Sequence, residues 1–464
     1  MTKYRFYIIA MVVFLSLGLA VNGLAKVTKE EADRLNKDLT PMGSVRAGNA
    51  DGTIPAWEGG LPKVPEGCKP YTGDNGQFAD DPYAKDKILF TITARNLDQY
   101  ANKLAPGQIA MFKRFPEYKM NVYPTRRGHC WPDHAYKLTY NNALNCSLSE
   151  NKEGAVGQAG GIPFPIPKTA QEIMLNHLNN FLGTGMKGFY PGYLVFANGD
   201  IVHQGGSIYT AIWPNQWPGH EGEYPYNKMT LVDYVEPVRR KGEVILILEP
   251  KNTANADYKT WQYLPGQRRV RRAPGISYDT PDPSTGNLAT YDDGFLFSGR
   301  LDRYDWTLIG KKEMYVMYNN FQIFLGTDPL KEFATPHYVN PDKLRYELHR
   351  VWVVEANLKE GKRHCYHKRV FYIDEDSWWV LRTDKYDNRG NLWRTTDGAM
   401  VNWYWIPTSY SHPWINYDFT EESYSINACA VGNGYEYGYG QYGIEDLISP
   451  DIFTVEHVRR MGRR

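Results

Sequence analysis

The chain has 464 residues, with 53 Lys and Arg against 52 Asp and Glu. A net charge of +1 excludes binding driven by bulk charge, such as a histone-like grip on nucleic acid. Aromatic residues make up 14% (35 Tyr, 18 Phe, 13 Trp), alongside 42 Gly and 29 Pro, which predicts β-sheet with many turns and excludes a disordered, collagen-like or multi-spanning chain.

The N-terminus carries an export pattern. Lys3 and Arg5 precede an uncharged apolar run, Phe6 to Val21, and Gly23 and Ala25 supply small residues at −3 and −1 of a cleavage site. Residues 1–25 are read as a secretory signal peptide, with the mature chain starting at Lys26. Losing Lys3 and Arg5 takes the net charge from +1 to −1. The alternative is an uncleaved anchor, since Phe6 to Ala25 is just long enough to span a bilayer. No Cys lies near the junction, so a lipoprotein-type anchor is not expected.

Thr28 and Glu31 form a capping box for a short helix, Thr28 to Leu39. Leu39 to Pro62 fits neither period, and we read it as an extended arm held on the domain by Ile54 and Trp57. Thr93 to Phe115 predicts two short helices broken at Ala105-Pro106-Gly107, with Ile109, Phe112 and Phe115 on one face. Three prolines within Gly160 to Pro167 exclude helix and central strand. Thr169 and Glu172 then cap a helix whose Ile173, Leu178 and Phe181 are apolar and which Gly183 stops.

From about Tyr190 the pattern turns to strands. Glu243 to Leu248 predicts a strand buried on both faces, and Pro265-Gly266 a hairpin between 261–264 and 267–272. Asp305 to Gly310 is another strand. Arg345 to Lys359 alternates: Tyr346, Leu348, Trp352, Val354, Ala356 and Leu358 share an apolar face, while Arg345, Glu347, His349, Glu355, Asn357 and Lys359 share a wet one. Four-residue turns link it to strands at 366–373, 378–386 and 392–396, an antiparallel meander. A Gly/Tyr stretch, 434–443, marks a C-terminal tail of about 430–464.

Several of these segments resemble domain-of-unknown-function family 1329. They are Leu39-Thr40-Pro41-Met42-Gly43, Arg46 to Trp57, Gly160 to Pro165, Trp261-Gln262-Tyr263 with Pro265 to Pro274, Asp302 to Trp306, Arg345 to Ala356 and Tyr372 to Trp378. They run in order through nearly the whole mature chain. The family is similar in fold to the periplasmic lipoprotein carriers LolA and LolB. The resemblance implies an α+β, mostly β fold: a strongly curved antiparallel sheet, an unclosed half-barrel, with helices covering its concave face. It implies one domain over 26–464, with an arm at about 26–65. It also implies a Gram-negative periplasmic protein that accompanies resistance-nodulation-division transporters and outer-membrane proteins. It supplies no catalytic residues.

His364-Cys365-Tyr366-His367 is metal-like in spacing, and His129, Cys130 and His134 form a looser group. Chance clustering is the plainer reading, so neither a metal nor a cofactor is expected. Arg268, Arg269, Arg271 and Arg272 suit a phosphate, an anionic headgroup or an acidic partner, or else pair with Asp279, Asp282, Asp292, Asp293, Asp302 or Asp305. Asp374, Glu375, Asp376, Asp384 and Asp387 read as turn formers rather than acid–base groups. Lipase, metalloprotease, Walker and C-x-x-C motifs are missing from the sequence. Cys130 and Cys146 flank a Pro132-Asp133 turn signal and are predicted to form a disulfide. Cys365 with Cys429 is a second candidate pair, leaving Cys68 free.

These readings predict a periplasmic carrier or chaperone for a hydrophobic molecule, a lipid or lipoprotein acyl chain, with no covalent chemistry and no nucleic-acid partner. Its ligand would lie between the curved sheet and the 169–181 helix, against Tyr346, Trp352, Val354, Leu358, Ile173, Leu178 and Phe181. The rivals are a non-carrier adaptor of a transport complex and a periplasmic enzyme acting on glycan or lipid.

Overall fold

The computed structural model describes residues 26–69, 80–253, 256–274, 278–324, 330–427 and 448–462. The expected signal peptide, Cys429 and the Gly/Tyr stretch lie outside them. Fifteen strands join in one sheet: β1 (Phe90–Thr93), β2 (Lys119–Val122), β5 (Gly185–Val195), β6 (Ile201–Ile212), β7 (Tyr226–Glu236), β8 (Val244–Pro250), β9 (Lys259–Leu264), β10 (Arg269–Arg272), β11 (Tyr304–Met317), β12 (Tyr346–Leu358), β13 (Lys368–Asp374), β14 (Val380–Tyr386), β15 (Leu392–Trp403), β16 (Thr408–Asp418) and β17 (Ser423–Asn427). β3 (Ser147–Leu148) and β4 (Ala155–Val156) form a separate hairpin. The order is β1-β2-β12-β13-β14-β15-β16-β17-β5-β6-β7-β8-β9-β10, with β11 on β12. Every pairing is antiparallel except one parallel bridge, Tyr346 to Val122.

The turns follow from their residues. Asp387 accepts hydrogen bonds from the Arg389 and Asn391 amides at 2.8 Å, and Gly390 takes φ 80°, which closes the β14–β15 hairpin. Val244 to Leu248 supplies the apolar run of β8, and four of its five residues are buried. Each such aliphatic side chain contributes about 1.5–3 kcal/mol.

The sheet curls without closing. Flat neighbours lie about 4.8 Å apart, so β11 and β15, four positions distant, would be about 19 Å apart in a flat sheet. They touch instead. The ends of the order, β1 and β10, do not pair with each other. The fold is mostly β and not closed into a barrel, as expected, and it has few helices.

The helices sit against this curl. Thr169 and Glu172 close the predicted capping box on the Ala170–Leu178 helix, worth about 1 kcal/mol. This helix ends at Asn179, four residues before Gly183, because the Asn179 side chain donates to the Leu175 carbonyl at 2.7 Å. The helix packs on β11 and β12. Pro106 opens the Pro106–Arg114 helix at the predicted break, and Phe112 is buried beside Ile109 and Phe115. Ile54 and Trp57 are buried, and the Trp57 indole donates to the His129 carbonyl at 2.9 Å.

Two expectations are overturned. Glu347 and His349, assigned to a wet face, are buried. The other side of β12 is covered too, so Glu347 accepts from Arg345, Asn319, the Arg126 amide and His349. Alternation reports one buried face only when the other meets water.

The Cys130–Cys146 disulfide is absent, and both are buried free thiols. The segment between them is not a hairpin but a 13-residue helix, Asp133–Asn145, about 20 Å long, which holds its two ends apart. Burial pushes both thiols up to about 12. Cys68 and Cys365 are free as well.

Candidate functional site: an aromatic chamber in the curl

A cavity of about 160 Å³ opens inside the curl. Six adjacent strands line it: Tyr190 on β5, Ser207 and Tyr209 on β6, Lys228, Thr230, Val232 and Tyr234 on β7, Ile247 and Glu249 on β8, Trp414 and Asn416 on β16, and Asn427 on β17. The segment Asp282 to Ser298 roofs it.

Lys228 and Glu249 face each other across the β7–β8 ladder, 2.6 Å apart. Burial disfavours the ammonium charge, but Glu249 and Tyr209 outweigh it and hold Lys228 above its ordinary value. The ammonium also lies 4.9 Å from the Phe295 ring centre. Thr230 Oγ1 and Tyr209 Oη are sealed from solvent and have at most each other as partners. The chamber thus offers aromatic walls, one internally neutralised ion pair and two spare hydroxyls.

Phe295 is its central wall. The ring stacks on Trp379 at 5.9 Å and meets Trp414 at 5.2 Å and Tyr410 at 5.7 Å. It also borders a second space of about 30 Å³, shared with His177, Leu178, Leu182, Trp213 and Trp379. Phe295 and Leu296 take φ values of 56° and 64°, a left-handed conformation that is costly for bulky residues. The surrounding structure must hold the roof there.

It does so through buried charge. Arg369, fully buried, donates twice to Asp292 at 3.0 Å and to Asp293 at 3.4 Å. Lys385 reaches Asp293 at 2.9 Å, and His364 reaches Asp292 at 3.0 Å. Burial opposes both carboxylate charges, yet the Arg369 and Lys385 charges, with the hydrogen bond from His364, hold Asp292 and Asp293 below the usual carboxylate range. At the other end, Asn427 donates to the Ser284 carbonyl at 3.1 Å.

The sequence-predicted lining residues fall elsewhere. Trp352, Val354, Leu358, Ile173, Leu178 and Phe181 come together, but as packed core around Phe371, Ile373 and Trp378. Trp352 stacks on Trp378 at 6.4 Å, under the Lys311 ammonium at 4.3 Å. Tyr346 lies in a different cluster, 3.1 Å from the Tyr118 hydroxyl. Leu178 alone of the seven reaches the space beside the chamber. Sequence reasoning missed Lys228, Glu249 and Phe295. A signal was present for one: Glu249 terminates the apolar run of β8, where a carboxylate needs a cross-strand partner.

The remaining clusters are structural. Asp374 and Asp376 are buried and grip other chain segments rather than simply forming a turn. His364 and Cys365 gather with Asp279 rather than with His367. His364 is already committed to Asp292 and to the Tyr366 amide, and Asp279 to Arg303. The arginines 268, 269, 271 and 272 pair with none of the expected acids among the described residues. Asp279, Asp282, Asp292, Asp293 and Asp302 are taken by Arg303, Ser284, Arg369, Lys385 and Tyr278.

Three buried imidazoles make stability depend on pH. Burial pushes His129 down to about 3, His177 to about 4 and His412 to about 3, against an ordinary 6.5. His177 holds one tautomer, Nε2 donating to the Phe297 carbonyl while Nδ1 accepts from the Val380 amide. Below the unfolded value the unfolded chain binds protons that the folded chain refuses. Their contribution is therefore complete above 6.5 and lost as pH falls toward 4. The loss is about 1 kcal/mol per imidazole over the first unit, or about 3 kcal/mol together. Urea midpoints measured from pH 7.5 to 5 should fall less steeply in His177→Gln than in wild type, since the variant lacks one of these imidazoles.

The structure thus defines a mostly-β protein with an open, curled antiparallel sheet around one roofed aromatic chamber. Residues 91–459 match the family described as "Protein of unknown function (DUF1329)", and the chain belongs to it. It is 39% identical over 403 residues to "Uncharacterized protein PA3922" of Pseudomonas aeruginosa, covering 84% of this chain and 87% of that protein. Among solved structures, an outer membrane lipoprotein-sorting protein domain from Vibrio parahaemolyticus is 15% identical. That likeness covers 62% of this chain and 97% of the domain, with a TM-score of 0.41. The LolA superfamily protein NE2245 from Nitrosomonas europaea is 13% identical, covering 62% and 98%, with a TM-score of 0.36. Among the described residues no helix is long and apolar enough to cross a membrane.

Proposed function

We propose that this protein is a periplasmic carrier for a hydrophobic molecule with a polar end, held in the chamber roofed by Asp282 to Ser298. The observation that supports this most is the pairing of aromatic walls with two buried hydroxyls, Tyr209 and Thr230, that have at most each other as partners. Apolar burial would supply the affinity at about 25 cal/mol per Å², and a hydroxyl or carbonyl on the ligand would satisfy Thr230. The cavity of about 160 Å³ matches the ~150 Å³ engineered cavity that takes benzene. It fits a ring or the last carbons of a chain. A longer lipid or lipoprotein acyl chain enters only when Phe295 swings away, which joins the chamber to the space behind it. In this reading cargo passes between an inner-membrane transporter of the resistance-nodulation-division type and an outer-membrane protein.

Native mass spectrometry of protein taken from its own periplasm tests the cargo directly. A fluorescent fatty-acid or naphthylamine probe tests the site. Wild type is expected to bind at micromolar concentration, and Ile247→Trp, which fills the chamber, to lose that binding with the fold intact. Trp352→Ala is expected to keep probe binding while losing about 3 kcal/mol of stability, as core does. Probe binding that survives Ile247→Trp but not Trp352→Ala would move the site back under the 170–178 helix. No extractable ligand and no probe binding would favour the adaptor reading.

A further inference from the structure

The meander β7 to β10 places two hairpin tips side by side. The β7–β8 turn and the β9–β10 turn leave the sheet at the same end, and a Cβ on Gly242 would lie 3.6 Å from the Pro265 ring. The first tip presents Val238, 89% exposed, followed by exposed Arg239 and Lys241. The second presents exposed Arg268 and Arg269 and leads into exposed Arg271 and Arg272 on β10, the last strand of the sheet.

Among the described residues these six cations form no ion pair. Arg271 reaches the neutral Gln262 at 3.2 Å, and Arg272 lies 4.8 Å from the Trp261 ring centre. The flanking carboxylates are taken: Glu236 lies 3.3 Å from His203, and Glu243 is buried and held by Arg240 at 2.9 Å and Gln262 at 2.6 Å. A nearly neutral chain has therefore gathered six exposed cations outside any ion pair toward the end of the sheet that carries one protruding aliphatic side chain.

We propose that this end of the sheet is a docking surface for an anionic lipid bilayer. Val238 would enter the acyl boundary while Arg239, Lys241 and the β10 arginines sit at headgroup level, where each cation gains from the surface potential. A pair of hairpin tips with one small exposed apolar side chain suits a fluid interface. A rigid protein partner would call for a larger, flatter apolar centre inside a polar rim. This inference does not depend on the chamber.

Co-sedimentation with vesicles decides it. Wild type is expected to bind phosphatidylcholine vesicles containing one-third phosphatidylglycerol, to ignore pure phosphatidylcholine, and to detach as salt is raised. Arg269→Ala with Arg271→Ala is expected to weaken binding about thirtyfold, at about fivefold per cation. Val238→Ser should weaken it about tenfold, the low end for burying a valine. All three side chains are exposed, so melting temperature and probe binding should stay unchanged, which separates a failure here from a failure of the chamber. Equal binding to neutral and anionic vesicles, or a double variant that binds like wild type, would overturn the proposal. So would wild type that ignores protein-free vesicles but pellets with vesicles carrying outer-membrane proteins; that result would assign the patch to an acidic protein.

Discussion

Replacing Arg369 by Met is expected to cost about 3–5 kcal/mol, because it strands the buried Asp292 without its main counter-charge. The cause is desolvation. Asp292 and Asp293 are both buried, and their charges are tolerable only beside Arg369, Lys385 and His364. The loss should also reach the chamber, since the same carboxylates pin the roof that carries Phe295. A lowered urea midpoint together with weaker probe binding is the expected pair of results. Adding Asp292→Asn to Arg369→Met should recover part of the stability by removing the stranded charge. A single variant within about 1 kcal/mol of wild type would mean that water reaches this cluster and that the roof is held by packing alone.

Replacing Arg127 by Met is expected to cost a similar 3–5 kcal/mol or so and to loosen the N-terminal arm. The guanidinium donates to Asp376 at 2.7 and 2.8 Å, and its remaining N–H groups reach the carbonyls of Val45, Arg46 and Pro55 at 2.9, 3.1 and 3.2 Å. One side chain therefore ties the β13–β14 turn to two points of the arm. Burial works against the Asp376 charge, and Arg127 outweighs it, holding that carboxyl well below the usual range. Asp374 beside it is raised, by burial and by the Asp376 charge. Glu375 accepts from the Val45 amide and from Lys311. In the variant, hydrogen exchange should accelerate over residues 44–57, and a protease should cut there before the sheet unfolds. Protection in the arm equal to wild type would show that Ile54 and Trp57 hold it without the arginine.

The local sequence determined the elements whose cause is local. Thr28–Glu31 and Thr169–Glu172 are capping boxes because a hydroxyl and a carboxylate three residues apart satisfy each other's amides in any context. Asp387 to Gly390 is a turn because its side chain and its glycine make one. The β12–β15 meander followed from alternation, and the open curled sheet followed from the resemblance. Tertiary structure decided everything that depends on what lies across a gap. Glu347 and His349 look wet by period and are buried, because the period of two says which residues share a face and not what covers it. Cys130 and Cys146 look bridgeable until a helix is placed between them. Trp352 reads as pocket or core with equal ease. Its neighbours Trp378 and Lys311 arrive from 26 and 41 residues away and make it core. The chamber is the extreme case. Its walls come from six strands and one irregular roof, so no window of sequence contains it, and its position follows from how far the sheet curls before its edges stop pairing.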